Sequence, residues 1–347
     1  MLINNSEYLT IVTDIKSRIR MAQHRAIIAA NAELFELYWN IGVVINEHST
    51  WGNKFIENIA RDIKLDFPDA KGYSARNLRY MAKFAKLFPD YEILQTLSAK
   101  LMWSHCVALI DKVKDRDKFI WYAERNGSDG WSVDDLKEQI ERGLYERQVI
   151  AHKTSNFQQR LLPPQGNLAA QTMKDPYVFD FIAYREGMIE LEIEAELVRN
   201  ITKLLLELGT GFAFMGNQYQ IEVENEIFKI DLLFYNVKLR CYVVIELKRG
   251  DFKPEYAGKL NFYISAVDDL MRGECDNPTI GLLLCKNKRG MIAEYSLRDI
   301  EKPIGVSEYK LFDKLPEKYA DILPSAEDIE KRIGAIDEKG ESDEGRE

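Results

Sequence analysis

The stretch FKIDLLFYNVKLRCYVVIELKRG, residues 228–250, holds two apolar runs parted by the short interruption NVKLR. Each run is seven or eight residues long and rich in β-branched and aromatic side chains, which suits a strand and is too short for a core helix. Joined by a tight turn, they form a hairpin that is apolar at nearly every position and needs cover on both faces. The flanking pattern supplies it. A helix is expected over roughly 186–208, stopped by Gly209, and QYQIEV precedes the hairpin as another strand. A further helix opens at Pro254 and runs through EYAGKLNFYISAVDDLM, and TIGLLLCK and IGVSEYKL follow as strands. The expected order is αβββαβ, a sheet flanked by helices.

Three side chains are out of place in that hairpin. Asp231 interrupts the first apolar run, and Glu246 and Lys248 close the second. Strand alternation puts Asp231 on a face with Leu233 and Tyr235, and Glu246 and Lys248 on a face with Val244. A hairpin centred between Lys238 and Leu239 sets Asp231 opposite Glu246, and a one-residue slip would turn the apolar face outward. Carboxylates that face each other across strands repel. A divalent cation cancels the repulsion, and Mg²⁺ needs only one or two protein carboxylates beside substrate phosphate oxygens. Lys248 is placed to orient water and a scissile phosphate, so the hairpin reads as a metal-dependent phosphodiesterase site. The plainer alternative is an ion pair between Asp231 and Lys248, although buried pairs stabilise less than apolar residues do. The tripeptide [DE]-x-K alone decides nothing, because it occurs eight times; only the copy at Glu246 ends a strongly apolar strand.

Residues 1–151 read as an all-α domain, with helical spacing in DIKSRIRMAQHRAIIAANAELFELYWNIGVVINEH, NKFIENIARDIKLDF, SARNLRYMAKFAKLF and VDDLKEQIERGLYERQ. Residues 152–176 are polar and broken by Pro163, Pro164 and Gly166, the pattern of a linker. The α/β domain is expected over 177–325, and an acidic, disordered tail over 326–347. The net charge of −9 would argue against a nucleic-acid partner, but residues 1–150 carry 21 basic and 21 acidic side chains, and the last 21 residues carry 4 and 9. The folded body is therefore close to neutral, and only local patches could draw DNA. Four scattered cysteines without a CxxC suit reduced thiols in a cytoplasmic chain, not disulfides or a zinc site. No secretory leader or membrane-spanning run is expected.

IDLLFY and VVIELK resemble the PD-(D/E)XK nuclease superfamily, whose core is the restriction-endonuclease-like αβββαβ fold. KDPYVFDF, LLLELGTGFAFMGNQY, LRCYVVIELKRGDFKPEYAGKLNFY, NPTIGLLLCK and KPIGVSEYKL are similar to the bacterial YhcG-type proteins, as are WGNKFIENIARD, GYSARNLRYM and WSHCVALIDKV in the first half. Those proteins join a helical N-terminal domain to a C-terminal PDDEXK nuclease domain, and the likeness covers nearly the whole chain except the acidic tail. It implies Asp231 and Glu246 as ligands of Mg²⁺ or Mn²⁺, Lys248 as the catalytic lysine, and hydrolysis of DNA in repair, recombination or defence against foreign DNA. Ile230 stands where the motif has proline. Glu194 in LEIEAELVRN matches an added acidic ligand, although Glu190, Glu192 and Glu196 around it suit a surface helix equally. Gln218 in GNQY matches a recurrent glutamine that could touch phosphate or water; a polar residue at a sheet edge is the other reading. Cutting both strands of a duplex with one site per chain would call for a homodimer. A scaffold that binds nucleic acid without turnover is the alternative function.

Basic and aromatic residues after the hairpin could contact a nucleic-acid backbone: Arg249, Lys253, Tyr256, and the i, i+4 pair Lys259 and Tyr263. A solvated surface is the competing reading for each. In KGYSARNLRYMAKFAKLF, Ser74 suits an N-cap, with Tyr73 and Leu78 as a hydrophobic staple. Arg76, Arg79, Lys83 and Lys86 then form one stripe, and FIENIARDIKLDF would support it as a helix-turn-helix-like pair. DNA contact, plain solvation and protein contact all fit such a stripe. His105 reads as structural.

Overall fold

The computed structural model describes residues 5–48, 54–90, 92–182, 184–185 and 187–311. The chain divides into two units, Met1–Tyr145 and Glu146–Glu347. Among the described residues, no single helix is long and apolar enough to cross a membrane.

The first unit is helical, with α1 (Asn5–Glu47), α2 (Phe55–Asp66), α3 (Ala75–Leu87), α4 (Glu92–Ser98), α5 (Trp103–Lys112), α6 (Arg116–Asp129) and α7 (Val133–Glu141). Its core joins Phe35 of α1 to Phe84, Leu97, Leu109, Phe119 and Leu136 from α3 to α7. Three helices start where a side chain takes up an unpaired amide. Ser74 Oγ accepts from Asn77 N, and Asp115 Oδ1 accepts from Lys118 N. Ser132 and Asp135 form a reciprocal capping box. Tyr73 and Leu78 share a cluster, as a staple requires. His105 Nε2 meets the Trp131 carbonyl at 3.0 Å inside this unit, a structural position.

The second unit is a three-layer α/β domain. A π-helical turn (Glu146–Ile150), β1 (Thr154–Ser155), α8 (Phe157–Arg160), α9 (Gln165–Thr172) and β2 (Tyr177–Val178) come first. The nuclease-like core follows as α10 (Glu190–Arg199), α11 (Ile201–Leu208), β3 (Phe212–Val223), β4 (Glu226–Asn236), β5 (Cys241–Asp251), α12 (Pro254–Leu270), β6 (Ile280–Asn287), α13 (Gly290–Leu297) and β7 (Ile304–Lys310). The strand order is β1-β7-β6-β5-β4-β3, with β2 added beside β7. Strands β3 to β5 run antiparallel, and β5, β6 and β7 run parallel. One face buries Val243, Ile245 and Leu247 against α10 and α11, and the other buries Leu233 and Val244 against α12 and α13. The alternation of β5 between those clusters is the physical content of its unbroken apolar run.

Two expectations need correction. The helix expected over 186–208 is two helices, separated at Asn200. Residues 152–176 are not a linker: they pack on the sheet of the second unit. β1 pairs with β7, and Phe157, Leu161, Ala169 and Met173 enter the core. A Cβ at Gly305 of β7 would lie 2.9 Å from both Met173 Sδ and Phe157 Cζ, so the absence of a side chain there is what lets the segment dock. Buried charges fasten it further. Arg147 and Lys174 meet the fully buried Glu207, and Lys288 meets Asp175, which also accepts from Ser307 Oγ and Glu308 N at 3.1 Å. Prolines and polar residues suggested a linker, but proline and amide-rich turns also serve a strap whose few apolar side chains insert into a core supplied by distant sequence. The tail at 326–347 lies outside the described residues. Phe157→Ala is expected to cost about 3–5 kcal/mol, the range for a truncated core phenylalanine, read as a lower urea midpoint at unchanged slope; a solvated linker residue would cost close to nothing.

Candidate active site

The hairpin has the register read from its symmetry. Asn236 pairs with Cys241, Tyr235 with Tyr242, Leu233 with Val244 and Leu232 with Ile245. The next pair in that series is Asp231 and Glu246, but there the ladder ends. The Leu247 N–H donates to Asp231 Oδ2 at 2.8 Å, so a side chain takes the amide. Beyond this point β4 continues on β3, and β5 continues on β6 through Glu246↔Leu283 and Lys248↔Cys285. The strands part where the two carboxylates would otherwise face each other.

Glu246 is fully buried. Its Oε1 takes the ammonium of Lys248 at 3.0 Å and that of Lys259 from α12. Its Oε2 has no hydrogen-bond partner. A buried acceptor left without a donor costs about 1–3 kcal/mol, so this oxygen is the open position of the centre. Burial first, then the neighbouring Glu246 charge, raise the Asp231 carboxyl to about 6. Burial pulls Lys248 down, but Glu246, Asp231 and Glu190 outweigh it and raise it overall. Lys259 follows the same balance, and its net shift is also upward. Both amines are therefore held as ammonium ions.

Glu194 joins this centre and is not a surface residue. It is 2% exposed, and its oxygens accept from Asn217 Nδ2 at 3.1 Å and from Gln218 Nε2. Burial raises its carboxyl, and the Glu246 charge adds to the rise. Gln218 sits opposite Asp231 in β3, in a left-handed conformation (φ 45°), next to a register shift between Phe214 and Gly216. Such backbone costs about 1–3 kcal/mol and persists where the surroundings demand it; here it delivers the amide to Glu194.

The remaining candidates separate. Lys259 lies at the carboxylates with its ring neighbour Tyr263, 5.1 Å from the ammonium to the ring centroid. Tyr263 itself is 4% exposed and packs under the sheet, so it is a core residue and not an open backbone contact. Arg249 is exposed and donates to the carbonyls of Gly187 and Met188. Lys253 is exposed, near Glu255 at 3.9 Å. Asp231 and Lys248 make no ion pair; Lys248 instead meets Glu190 at 3.1 Å and lies over the Tyr256 ring. Glu190, which also accepts from Arg249 N, was not singled out from the sequence. The available signal was its spacing, one helical turn before Glu194 on the edge of the Ile193, Leu197 stripe. In the first unit Arg76, Arg79, Lys83 and Lys86 are exposed along α3, as a stripe requires. Carboxylates interleave with it: Arg79 pairs with Glu57, and Arg76 and Lys83 flank Tyr80, whose hydroxyl donates to Asp111. The expected supporting helix α2 has no fully buried residue, but Ile56, Ile59 and Ala60 pack half-buried against the cluster that holds Leu78 and Met81 of α3.

Comparison with known proteins covers most of the chain. Residues 170–324 match the YhcG PDDEXK nuclease domain, and residues 14–147 match the DUF1016 N-terminal domain. "Putative nuclease YhcG" of Escherichia coli (strain K12) is 30% identical over 334 residues, covering 86% of this chain and 88% of the relative. A solved chain described as "Structure of EndoMS-dsDNA2 complex" is 19% identical over 39% of this chain and 49% of its own, with a TM-score of 0.26. A repair endonuclease from Pyrococcus abyssi is 17% identical over 38% and 50%, with a TM-score of 0.24. The matched region thus spans about half the length of those solved chains, and scores this low leave the assignment resting on the family matches and the geometry. The chain belongs to the YhcG family, with a DUF1016 N-terminal domain followed by a PDDEXK nuclease domain.

Proposed function

We propose that this chain is a metal-dependent nuclease that hydrolyses DNA phosphodiester bonds at Asp231, Glu246 and Lys248. The observation that carries the reading is the buried Glu246 carboxylate, with one oxygen lacking any donor, at the point where two strands separate. Asp231 and Glu246, backed by Glu194, form an all-oxygen donor set that fits a hard cation such as Mg²⁺ or Mn²⁺. Among the described residues no three of His, Cys, Asp and Glu gather closely enough to hold a metal by themselves. An ion that completes its shell from water and phosphate needs only one or two protein carboxylates, which Asp231 and Glu246 would supply. When bound, the ion would supply Lewis-acid stabilisation of charge on the phosphate.

The chain's own groups have distinct tasks in this scheme. Lys248, with its pKa raised, acts as a positive donor toward phosphate and water and not as a general base at neutral pH. Glu190 and Tyr256 hold its ammonium in place from α10 and α12. Lys259 lies on Glu246 with a side chain that is 45% exposed, so it can reach the carboxylate and an approaching phosphate. Arg249 and Lys253 supply outer, sequence-independent contacts.

Incubation with plasmid, linear, branched and single-stranded DNA, with Mg²⁺ or Mn²⁺ and without, tests the reading. Asp231→Ala, Glu246→Gln and Lys248→Ala are each expected to lower turnover roughly 100- to 10,000-fold; equal cleavage by wild type and Asp231→Ala would remove the assignment. Folding reports on the same centre. Because the folded Asp231 carboxyl lies at about 6, above its ordinary value near 4, the folded chain holds a proton that the unfolded chain releases. Its stabilising contribution is complete below about pH 4 and is lost as pH rises through about 6. Without metal at pH 8, Asp231→Asn should therefore melt higher than wild type, by about 5–10 °C if the whole difference is recovered. Added Mg²⁺ or Mn²⁺ should raise the melting temperature of wild type and leave Asp231→Asn nearly unmoved. For the α3 stripe, charge reversal at Arg76, Arg79 and Lys83 should weaken DNA binding and flatten its salt dependence by about 0.9 per lost phosphate contact; unchanged binding in a mobility-shift titration would exclude the stripe.

A further inference from the structure

From Tyr8 to Ala30, α1 is left uncovered by its own unit. Side chains from Tyr8 to Ala30 are exposed at every position except the half-buried Val12, and burial begins only at Asn31 and Leu34. Solvent-exposed helix would be expected to be polar all round. Instead Tyr8, Val12, Ile15, Ile19, Ala22, Ala26 and Ala29 follow one another in steps of four and three residues without interruption. Tyr8, Ile15 and Ile19 are 52%, 50% and 52% exposed. Steps of four and three average 3.5 residues, the repeat that keeps one seam facing a second helix through a left-handed supercoil and not a flat surface or a sheet. Leu9 and Ile11 widen the seam, and Thr10, Thr13, Ser17, Arg20 and His24 are polar on the other side, where Met21, Ile27 and Ile28 are exposed apolar side chains outside the repeat.

We propose that this seam pairs with the same seam of a second copy, as a parallel two-stranded coiled coil. A repeat that matches itself at every step meets the demand of a two-fold interface, in which the same patch serves both partners. Charge selects the direction. In the parallel arrangement the residues flanking the seam meet as Ile11 with Lys16, Arg18 with Gln23 and Arg25 with Ala30 of the other copy, with no like-charged pair. An antiparallel arrangement would set Arg18 against Arg25 twice. From Tyr8 to Ala29 the helix is about 33 Å long, and a strip half its circumference wide removes roughly 1,000 Å² over both copies, the least that a specific interface needs. An association of that size is reversible at micromolar concentrations, and each dimer carries two copies of the site at Asp231 and Glu246.

Sedimentation equilibrium of the full chain tests this without reference to cleavage, since a single copy has a mass of 40.2 kDa. Wild type should move from one to two copies across roughly 1–100 µM, and Ile15→Glu/Ile19→Glu should remain single with its thermal melting otherwise retained. In a Cys275→Ser background, because Cys275 is exposed, Ile15→Cys should form an intermolecular disulfide on mild oxidation and Ser17→Cys, on the outer side, should not. A wild type that stays single at 100 µM, a doubly substituted chain that still pairs, or equal cross-linking at positions 15 and 17 would each overturn the proposal.

Discussion

A carboxylate cut off from water has to find positive charge, and Glu246 finds it in two directions. Lys248 reaches it from two residues along the same strand, and Lys259 reaches it from the helix laid over that strand. Both ammonium ions serve one oxygen, while the other has no donor. This imbalance orders what surrounds it. Strands β4 and β5 cannot stay paired through Asp231 and Glu246, so a side chain takes over a backbone bond and the sheet opens there. β3 adopts a left-handed residue at the same level and brings an amide to Glu194. A core of leucines at these positions would fold more readily, and the cost is concentrated at this one cluster of buried charges.

The hairpin was legible because its two constraints agree. Side chains alternate with a period of two, and the apolar runs are symmetric about Lys238 and Leu239, so register and facing follow from the letters alone. Glu194 was harder to place because four glutamates occur at alternate positions of one helix, and composition does not distinguish them. What distinguishes them is distance from the apolar stripe. Ile193 and Leu197 turn into the core, Glu194 is carried in beside them, and Glu190 follows one turn earlier at the rim. Tyr263 was misread for a related reason: its spacing from Lys259 is helical, but that helix rotates the lysine to the carboxylates and the tyrosine under the sheet.

In the helical half, local signals did well and distant ones were invisible. Ser74 caps α3 as its residue type suggests, because a cap depends on its own next three residues. The basic stripe on α3 is real as a line of exposed side chains, yet Glu57 and Asp111 meet it from elsewhere in the unit. A single helix viewed as a wheel shows its own charges and not those brought to it by folding. Surface pairs of this kind contribute little to stability, but they change the potential that an approaching phosphate meets.

The strap from Glu146 to Pro176 changes where this protein can be divided. It starts within the last two residues of the DUF1016 match, which ends at residue 147, and is complete only after the first residues of the PDDEXK match, which begins at residue 170. Its anchors reach across the domain, from Arg147 to Glu207 and from Asp175 to Lys288. Exchange of the helical module for another, by genetic rearrangement or by design, therefore has a narrow seam near Tyr145. A splice at residue 170, which sequence matching alone would recommend, would carry Glu207 into the new chimera without Arg147, its guanidinium partner.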